Sequence, residues 1–340
     1  MKQAEDVVHG NRRSLIWIIV IGGVLLLVAS IASIMLGSTR FSWQVLWSMV
    51  INYTPNREQL IIATVRLPRL ITTILIGANL AVAGAIMQAI TRNPLASPSV
   101  FSINAGASFV VVVTLLLFPS FPSMLRVASA LIGAFVTVMT VYGLSLLIRW
   151  GKTEVKMALI GVTMQAFFSV VIQLLLLLNE SKTELVMFWL TGSVVGNRWN
   201  DMQWLIPFSL AGLILAVYMS RAASILSLGS DIAKGLGQRV KRLRVVLMLL
   251  VVVLAGISVS VAGPISFIGL IVPHMVRALV GVDYRVIIPV SALLGAVLLT
   301  VADVASRFIH FPAETPVGIV TALLGAPFFI YLARKKVVTL

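Results

Sequence analysis

Ten separate stretches of this chain are apolar over about the length of a bilayer crossing, near residues 14–36, 63–90, 99–118, 125–149, 156–179, 203–220, 242–263, 266–279, 285–309 and 316–333. A helix needs roughly 20 apolar residues to cross the hydrocarbon core. Inside that core each backbone N–H and C=O must be bonded within the protein, which leaves only helices and closed barrels. Barrel strands alternate apolar and polar residues, and these stretches do not. The expected fold is an all-α integral membrane protein with ten transmembrane helices, a short tail at 1–13 and a single domain over 14–340. The stretch at 63–90 exceeds a simple crossing and should tilt or protrude. The one at 266–279 is too short to cross alone and should end against protein or a water-filled cavity. A further short amphipathic piece near 185–196 is expected at a surface.

Charge sets the orientation. Only 11% of the residues are charged, against about 25% in soluble chains. With the N-terminus inside, Arg40, Arg57, Arg66, Arg69, Arg126, Lys182, Arg198 and Arg307 fall outside, and the other 18 of 26 basic residues fall inside. That bias predicts cytoplasmic N- and C-termini. It also accounts for the net charge of +15 through loops facing anionic lipid, without nucleic acid. Arg12 and Arg13 precede an apolar run too long for the core of a signal peptide, so an uncleaved first span is expected. The absence of cysteine excludes disulfides and thiolate metal sites.

Residues 228–240, LGSDIAKGLGQRV, interrupt the apolar pattern. They carry Asp231, Lys234 and Arg239, are broken by glycines, and run directly into Lys241, Arg242 and Arg244. A compact charged loop held on the cytoplasmic side predicts a docking surface for a cytosolic partner. At the opposite side, Arg66 and Arg69 flank Pro68, which suits a helix start. Two arginines there run against the inner bias. They read either as snorkelling to headgroups or as a cationic rim for carboxylates of an extracellular partner. Asp303 and Arg307 are spaced for an intrahelical ion pair near that surface. Glu314 stands just before the last span, where a helix dipole favours a carboxylate, and Arg307 could be shared between its pairing with Asp303 and an outside partner.

Other features have simpler readings. Gly77, Ala81 and Ala85 form one small-residue stripe, and Gly318, Ala322 and Ala326 another; both suit close helix packing. Gln88 suits an interhelical hydrogen bond. Residues 263–277, GPISFIGLIVPHMVR, mark a broken segment at membrane depth, with His274 in a structural role. The acids Glu58, Glu154, Glu180, Glu184, Asp201 and Asp231 fall at span ends or loops, whereas an ion-coupled carrier more often keeps an ionisable group near the midplane. No nucleophile–base pair, metal-ligand cluster or phosphate-binding GxxxxGK[ST] loop can be assembled.

Several of these segments, taken in order, resemble the permeases of the FecCD family, the membrane subunits of ATP-binding-cassette importers for iron–siderophores, haem and cobalamin. The resemblance rests on VRLPR (65–69), GANLAVAGAIMQAITRNPLASP (77–98), WLTGS (189–193), LGSDIAKGLG (228–237), GPISFIGLIVPHMVRALVGVDYR (263–285) and ADVASRFIHFPAETPVGIVTALLGAPFFIYL (302–332). It implies ten helices per subunit, a second permease subunit, a cytosolic ATPase dimer, an extracytoplasmic substrate-binding protein, and no cofactor. It further implies that short cytoplasmic coupling helices at 228–239, with Leu228, Gly229, Asp231, Lys234, Leu236 and Gly237, engage the ATPases. Arg66, Arg69 and Arg307 match the family's receptor-facing arginines. The resemblance makes the chain a bacterial cytoplasmic-membrane permease for an iron–siderophore chelate. A gradient-driven carrier or a membrane-anchored scaffold are the alternatives.

Lacking a phosphate-binding loop, the purified chain is expected to release no phosphate from ATP above a detergent blank. Hydrolysis that co-purifies with the chain through size exclusion would overturn this.

Overall fold

The computed structural model describes residues 2–37, 39, 41–51, 54, 56–118, 122–148, 151, 153–311 and 313–337, with backbone alone over 2–14. Arg40 and Pro312, and the side chains of Arg12, Arg13 and Glu154, lie outside the described residues. The α-helices are α1 (Lys2–Met35), α2 (Trp43–Ile51), α3 (Arg57–Ile61), α4 (Leu67–Thr91), α5 (Ile103–Leu117), α6 (Ser123–Leu147) and α7 (Thr153–Leu177), followed by α8 (Glu180–Leu190), α9 (Trp199–Ser227), α10 (Ser230–Gly235), α11 (Val240–Ala262), α12 (Ile268–Val280), α13 (Tyr284–Ile309) and α14 (Val317–Val337). No strand occurs among the described residues. Seven helical segments are long and apolar enough to cross a membrane, and Ile103–Leu117, Ile268–Val280 and Val317–Leu332 are apolar but shorter.

The core is built around α4. Its run from Gly77 to Ile90 is dominated by glycine and alanine, and every residue in it is buried. In lipid, apolar side chains gain nothing by leaving the acyl chains for one another, so association depends on how closely backbones approach. A Cβ added at Gly77 would lie 2.3 Å from the Gly295 carbonyl oxygen, and one at Gly84 would lie 1.9 Å from that of Gly269. The α4 backbone therefore rests directly on α13 and on the first turn of α12. The stripe of Gly77 and Ala81 packs within the chain, against Gly295. Of the second stripe, Gly318 packs on the Thr191 carbonyl, while Ala326 is exposed.

The contact at Gly84 has a further role. Pro273 lies inside α12 and cannot donate to the carbonyl four residues earlier, which is that of Gly269. This oxygen is turned onto the Gly84 backbone, where a Cα–H can partly satisfy it. One turn along, Gln88 Nε2 donates to the Leu270 carbonyl at 3.5 Å. The polar residue inside the span is thus an interhelical clasp. His274 packs edge-on to Phe328 with ring centroids 5.9 Å apart.

α3 and α4 form one rod from Arg57 to Thr91, joined by a π-helical turn over Ile62–Arg66. Pro68 stands in the first turn of α4, as its position implies, but the rod begins earlier, at Arg57, capped by Asn56 Oδ1 accepting from Gln59 N at 2.9 Å. The π turn makes the proline tolerable. Leu67 N donates to the Ile62 carbonyl, and Pro68 has no N–H, so neither register satisfies the Ala63 carbonyl. Trp199 Nε1 supplies the missing donor at 2.9 Å.

Gly84→Ala is expected to destabilise the protein by about 1–3 kcal/mol through overpacking. Gly23→Ala is the control, because a Cβ there meets nothing within 4 Å. Thermal melts of both variants in detergent would check this, and equal melting points would refute the close-contact argument.

Candidate functional sites at the two ends of the bundle

At the end of the bundle where α1 stops and α14 starts, five charged side chains meet. Arg69 sits on the first turn of α4 and grips Asp303 of α13 with the Nε–Nη2 edge of its guanidinium. Its Nε lies 3.0 and 3.1 Å from the two carboxylate oxygens, and its Nη2 lies 2.8 Å from Oδ1. The remaining nitrogen, Nη1, reaches Glu314 Oε2 at 2.5 Å. Arg307, one turn beyond Asp303, donates from Nη2 to the second carboxylate oxygen. Its Nη1 meets the carbonyls of Ser33 (2.6 Å) and Leu36 (2.7 Å). Arg66 donates to the Leu36 carbonyl at 2.9 Å and to that of Thr39 at 3.3 Å.

The carbonyls at the end of α1 are the ones a helix leaves without internal partners, at the negative pole of its dipole. Two guanidiniums cap them. Gly37 makes room, since a Cβ there would stand 2.1 Å from Arg66 Nη2.

This geometry corrects two expectations. Arg66, Arg69 and Arg307 form no exposed cationic rim and do not snorkel: they are 4%, 5% and 2% exposed. The Asp303–Arg307 pair forms as the spacing implies, but both side chains are fully buried instead of lying at the surface. Glu314 pairs with Arg69 and not with Arg307. Asp303 is thus an ionisable group inside a span, held near the helix end between two arginines. Three guanidiniums face two carboxylates, so the cluster carries one excess positive charge.

At the opposite end, the charged interruption folds into a protruding knob. α10 is a turn and a half long, entered through Gly229 (φ 132°) and left through Gly237 (φ 80°). Both backbone conformations favour glycine. Leu228 at the end of α9, Ile232 on α10 and Leu236 just after it are all exposed and give the knob an apolar crest, while Ala233 is buried. Asp231 Oδ1 and Lys234 Nζ lie 3.2 Å apart on the flank, with the Asp231 side chain 97% exposed. Ile232 was not among the residues expected to matter, although its spacing from Leu228 and Leu236 is visible in the sequence. The knob is braced by Arg244 Nη2 near Ser230 Oγ (3.4 Å) and by Gln238 Nε2 near the Ala222 carbonyl (3.4 Å). Beside it, Ser224 donates to Asp283 Oδ1 at 2.8 Å and accepts from Tyr284 N at 2.8 Å, tying α9 to the start of α13.

Neither end assembles a nucleophile with a base, and no group of three or more His, Cys, Asp or Glu among the described residues could hold a metal ion. One end is a clamp with buried charges, and the other is an exposed, glycine-bounded knob. Removing one partner of a buried ion pair costs about 3–5 kcal/mol, so Asp303→Asn is expected to destabilise by that order. Asp231→Asn, in a surface pair worth at most about 1 kcal/mol, should leave the melting point nearly unchanged. Indistinguishable melts would contradict the buried-hub geometry.

Comparison with known proteins places this architecture. The sequence profile of the FecCD transport family matches residues 10–335. The chain is 49% identical over 280 residues to the Fe(3+)-citrate import system permease protein YfmD of Bacillus subtilis, covering 82% of this chain and 83% of that protein. It is 44% identical over 320 residues to the iron(3+)-hydroxamate import system permease protein FhuB of the same organism, covering 94% of this chain and 83% of that one. A solved structure of a metal-chelate type ABC transporter in an inward-facing conformation superimposes with a TM-score of 0.81 at 29% identity, covering 92% of this chain and 97% of its own. The chain belongs to the FecCD transport family.

Proposed function

We propose that this chain is the transmembrane permease subunit of an ATP-binding-cassette importer that carries an iron–siderophore chelate across a bacterial cytoplasmic membrane. The observation that carries the reading is the exposed knob at 228–239 on a chain of this family. An apolar crest flanked by one ion pair has no lipid to face at a cytoplasmic loop and suits a groove on an ATPase. The names of the relatives, Fe(3+)-citrate and iron(3+)-hydroxamate importers, support an iron chelate as cargo. In this reading the three shorter apolar helices join the seven long ones to make ten crossings, each end of the chain is cytoplasmic, and 14–340 is one domain after a tail at 1–13.

The partners are a second permease subunit, a cytosolic ATPase dimer and an extracytoplasmic binding protein. Leu228, Gly229, Asp231, Lys234, Leu236 and Gly237 shape the ATPase contact, with Ile232 completing its crest. Arg66, Arg69 and Arg307 serve receptor docking indirectly. They order the end of the bundle beneath the receptor and lend it one net positive charge, without themselves touching acidic lobes in the conformation described.

Reconstitution tests the reading. In proteoliposomes holding the permease and its ATPase, with receptor and ferric chelate outside, uptake is expected to require internal ATP and to survive collapse of the proton gradient. Asp231→Arg should abolish ATP-driven uptake while the variant still inserts and melts normally. Uptake that follows the proton gradient and ignores ATP would return the chain to the gradient-driven class.

A further inference from the structure

Five cations line one cleft beside the knob. Lys234, Arg239, Lys241, Arg242 and Arg244 enclose a cavity of about 530 Å³ together with Ser230, Gln238 and Val240. No carboxylate lines it. Asp231, the only acid in the sequence between Asp201 and Asp283, is almost wholly exposed and pairs with Lys234 from the rim, which leaves the four cations at 239–244 facing no carboxylate of the cleft lining. Arg244 is only 9% exposed, so this is more than a fringe of solvated side chains: one guanidinium is fixed in the wall, within reach of Ser230.

The placement runs against the local field. Lys241, Arg242 and Arg244 stand on the opening turns of α11, at the positive pole of the helix dipole, where cations are disfavoured. The N-cap, Arg239, makes no side-chain hydrogen bond to that end. An anion in the cleft answers both costs at once. Guanidinium forks and the compact charge of lysine match phosphate oxygens, and the cavity is large enough for a phosphodiester with a small polar headgroup. Above the cations, the same face of α11 turns apolar. Val246, one turn from Arg242, is 41% exposed, and Leu249 is half-buried.

We propose that this cleft binds a phosphate-bearing anion, and that the headgroup of an anionic glycerophospholipid supplies it, with an acyl chain lying along Val246 and Leu249. The assignment rests on the cytoplasmic orientation proposed above, which puts the cleft at the leaflet where anionic lipids gather. A bound headgroup bridges α10 and the start of α11, and so sets the pose of the knob presented to the ATPase.

The test uses the full chain in neutral detergent, without ATP, chelate, receptor or ATPase, so that a failed transport assay and a failed lipid assay remain separate results. Retention of short-chain phosphatidylglycerol is measured by native mass spectrometry and by thermal shift, against short-chain phosphatidylcholine and inorganic phosphate. Phosphatidylglycerol should bind saturably and phosphatidylcholine should not. The variant K241Q/R242Q, altered at two exposed positions, should weaken phosphatidylglycerol about 25-fold, a factor of roughly five per cation.

Inorganic phosphate binding as tightly as the lipid, with the same loss in the variant, would keep the anion site and identify free phosphate as its source. Equal retention of both lipids, or unchanged phosphatidylglycerol binding by the variant, would overturn the proposal. Expulsion of phosphatidylglycerol on adding the ATPase subunits would also overturn it, assigning the cations to the protein interface.

Discussion

The contact of α4 with α13 and α12 through bare backbone is the constraint on which the rest of the structure hangs. A bilayer offers apolar side chains no reason to prefer one another over acyl chains, so the helices must be held by proximity and by hydrogen bonds. Gly77 against Gly295 and Gly84 against Gly269 bring the backbones together. That approach makes the other polar contacts of α4 possible. Gln88 can reach Leu270 only because Gly84 lets α12 come so near. Asn79 Nδ2 donates to Ser209 Oγ of α9 at 2.7 Å.

The charge cluster closes the same helices at one end. Asp303 is shared by two arginines, Glu314 takes the last edge of Arg69, and the remaining guanidinium edges cap α1. Burying these charges is expensive, and such an arrangement is better understood as fixing one geometry than as adding net stability. It joins α1, α4, α13 and the approach to α14, which are far apart in sequence and contribute different helices to the bundle. The opposite end is built on another principle. Its knob is short, glycine-hinged and exposed, and is braced by a few long hydrogen bonds to the ends of α9 and α11. One end is thus fixed by buried charges, while the other carries a short exposed knob bounded by glycines in positive-φ conformations.

Most of the helical architecture was legible in the sequence because a membrane simplifies the problem: length and hydropathy mark a crossing almost without reference to its neighbours. The stripe of Gly77 and Ala81 marked a close-packing face for the same local reason, as the glycines around α10 marked a break in the helix. Local signals were also available where the reading fell short. Asn56 followed by Gln59 is an N-cap pattern that places the start of the rod ahead of Pro68. The burial of Arg66, Arg69 and Arg307 had no such signal. A charged residue near the end of a span can face headgroups, a partner or the protein interior, and nothing beside it in the sequence tells these apart.

The sequence by itself therefore determined an all-helical membrane protein, the approximate position of each apolar helix, the charged interruption at 228–240 and the family. Tertiary structure alone decided that the arginines form an interior clamp, because their partners lie as far as 274 residues away. It alone decided that an indole from α9 satisfies the carbonyl stranded beside Pro68. Hydropathy is a property of a segment and can be read along the chain. The satisfaction of a buried charge or a broken hydrogen bond depends on which distant groups the fold brings within about 3 Å, and that is settled only in three dimensions.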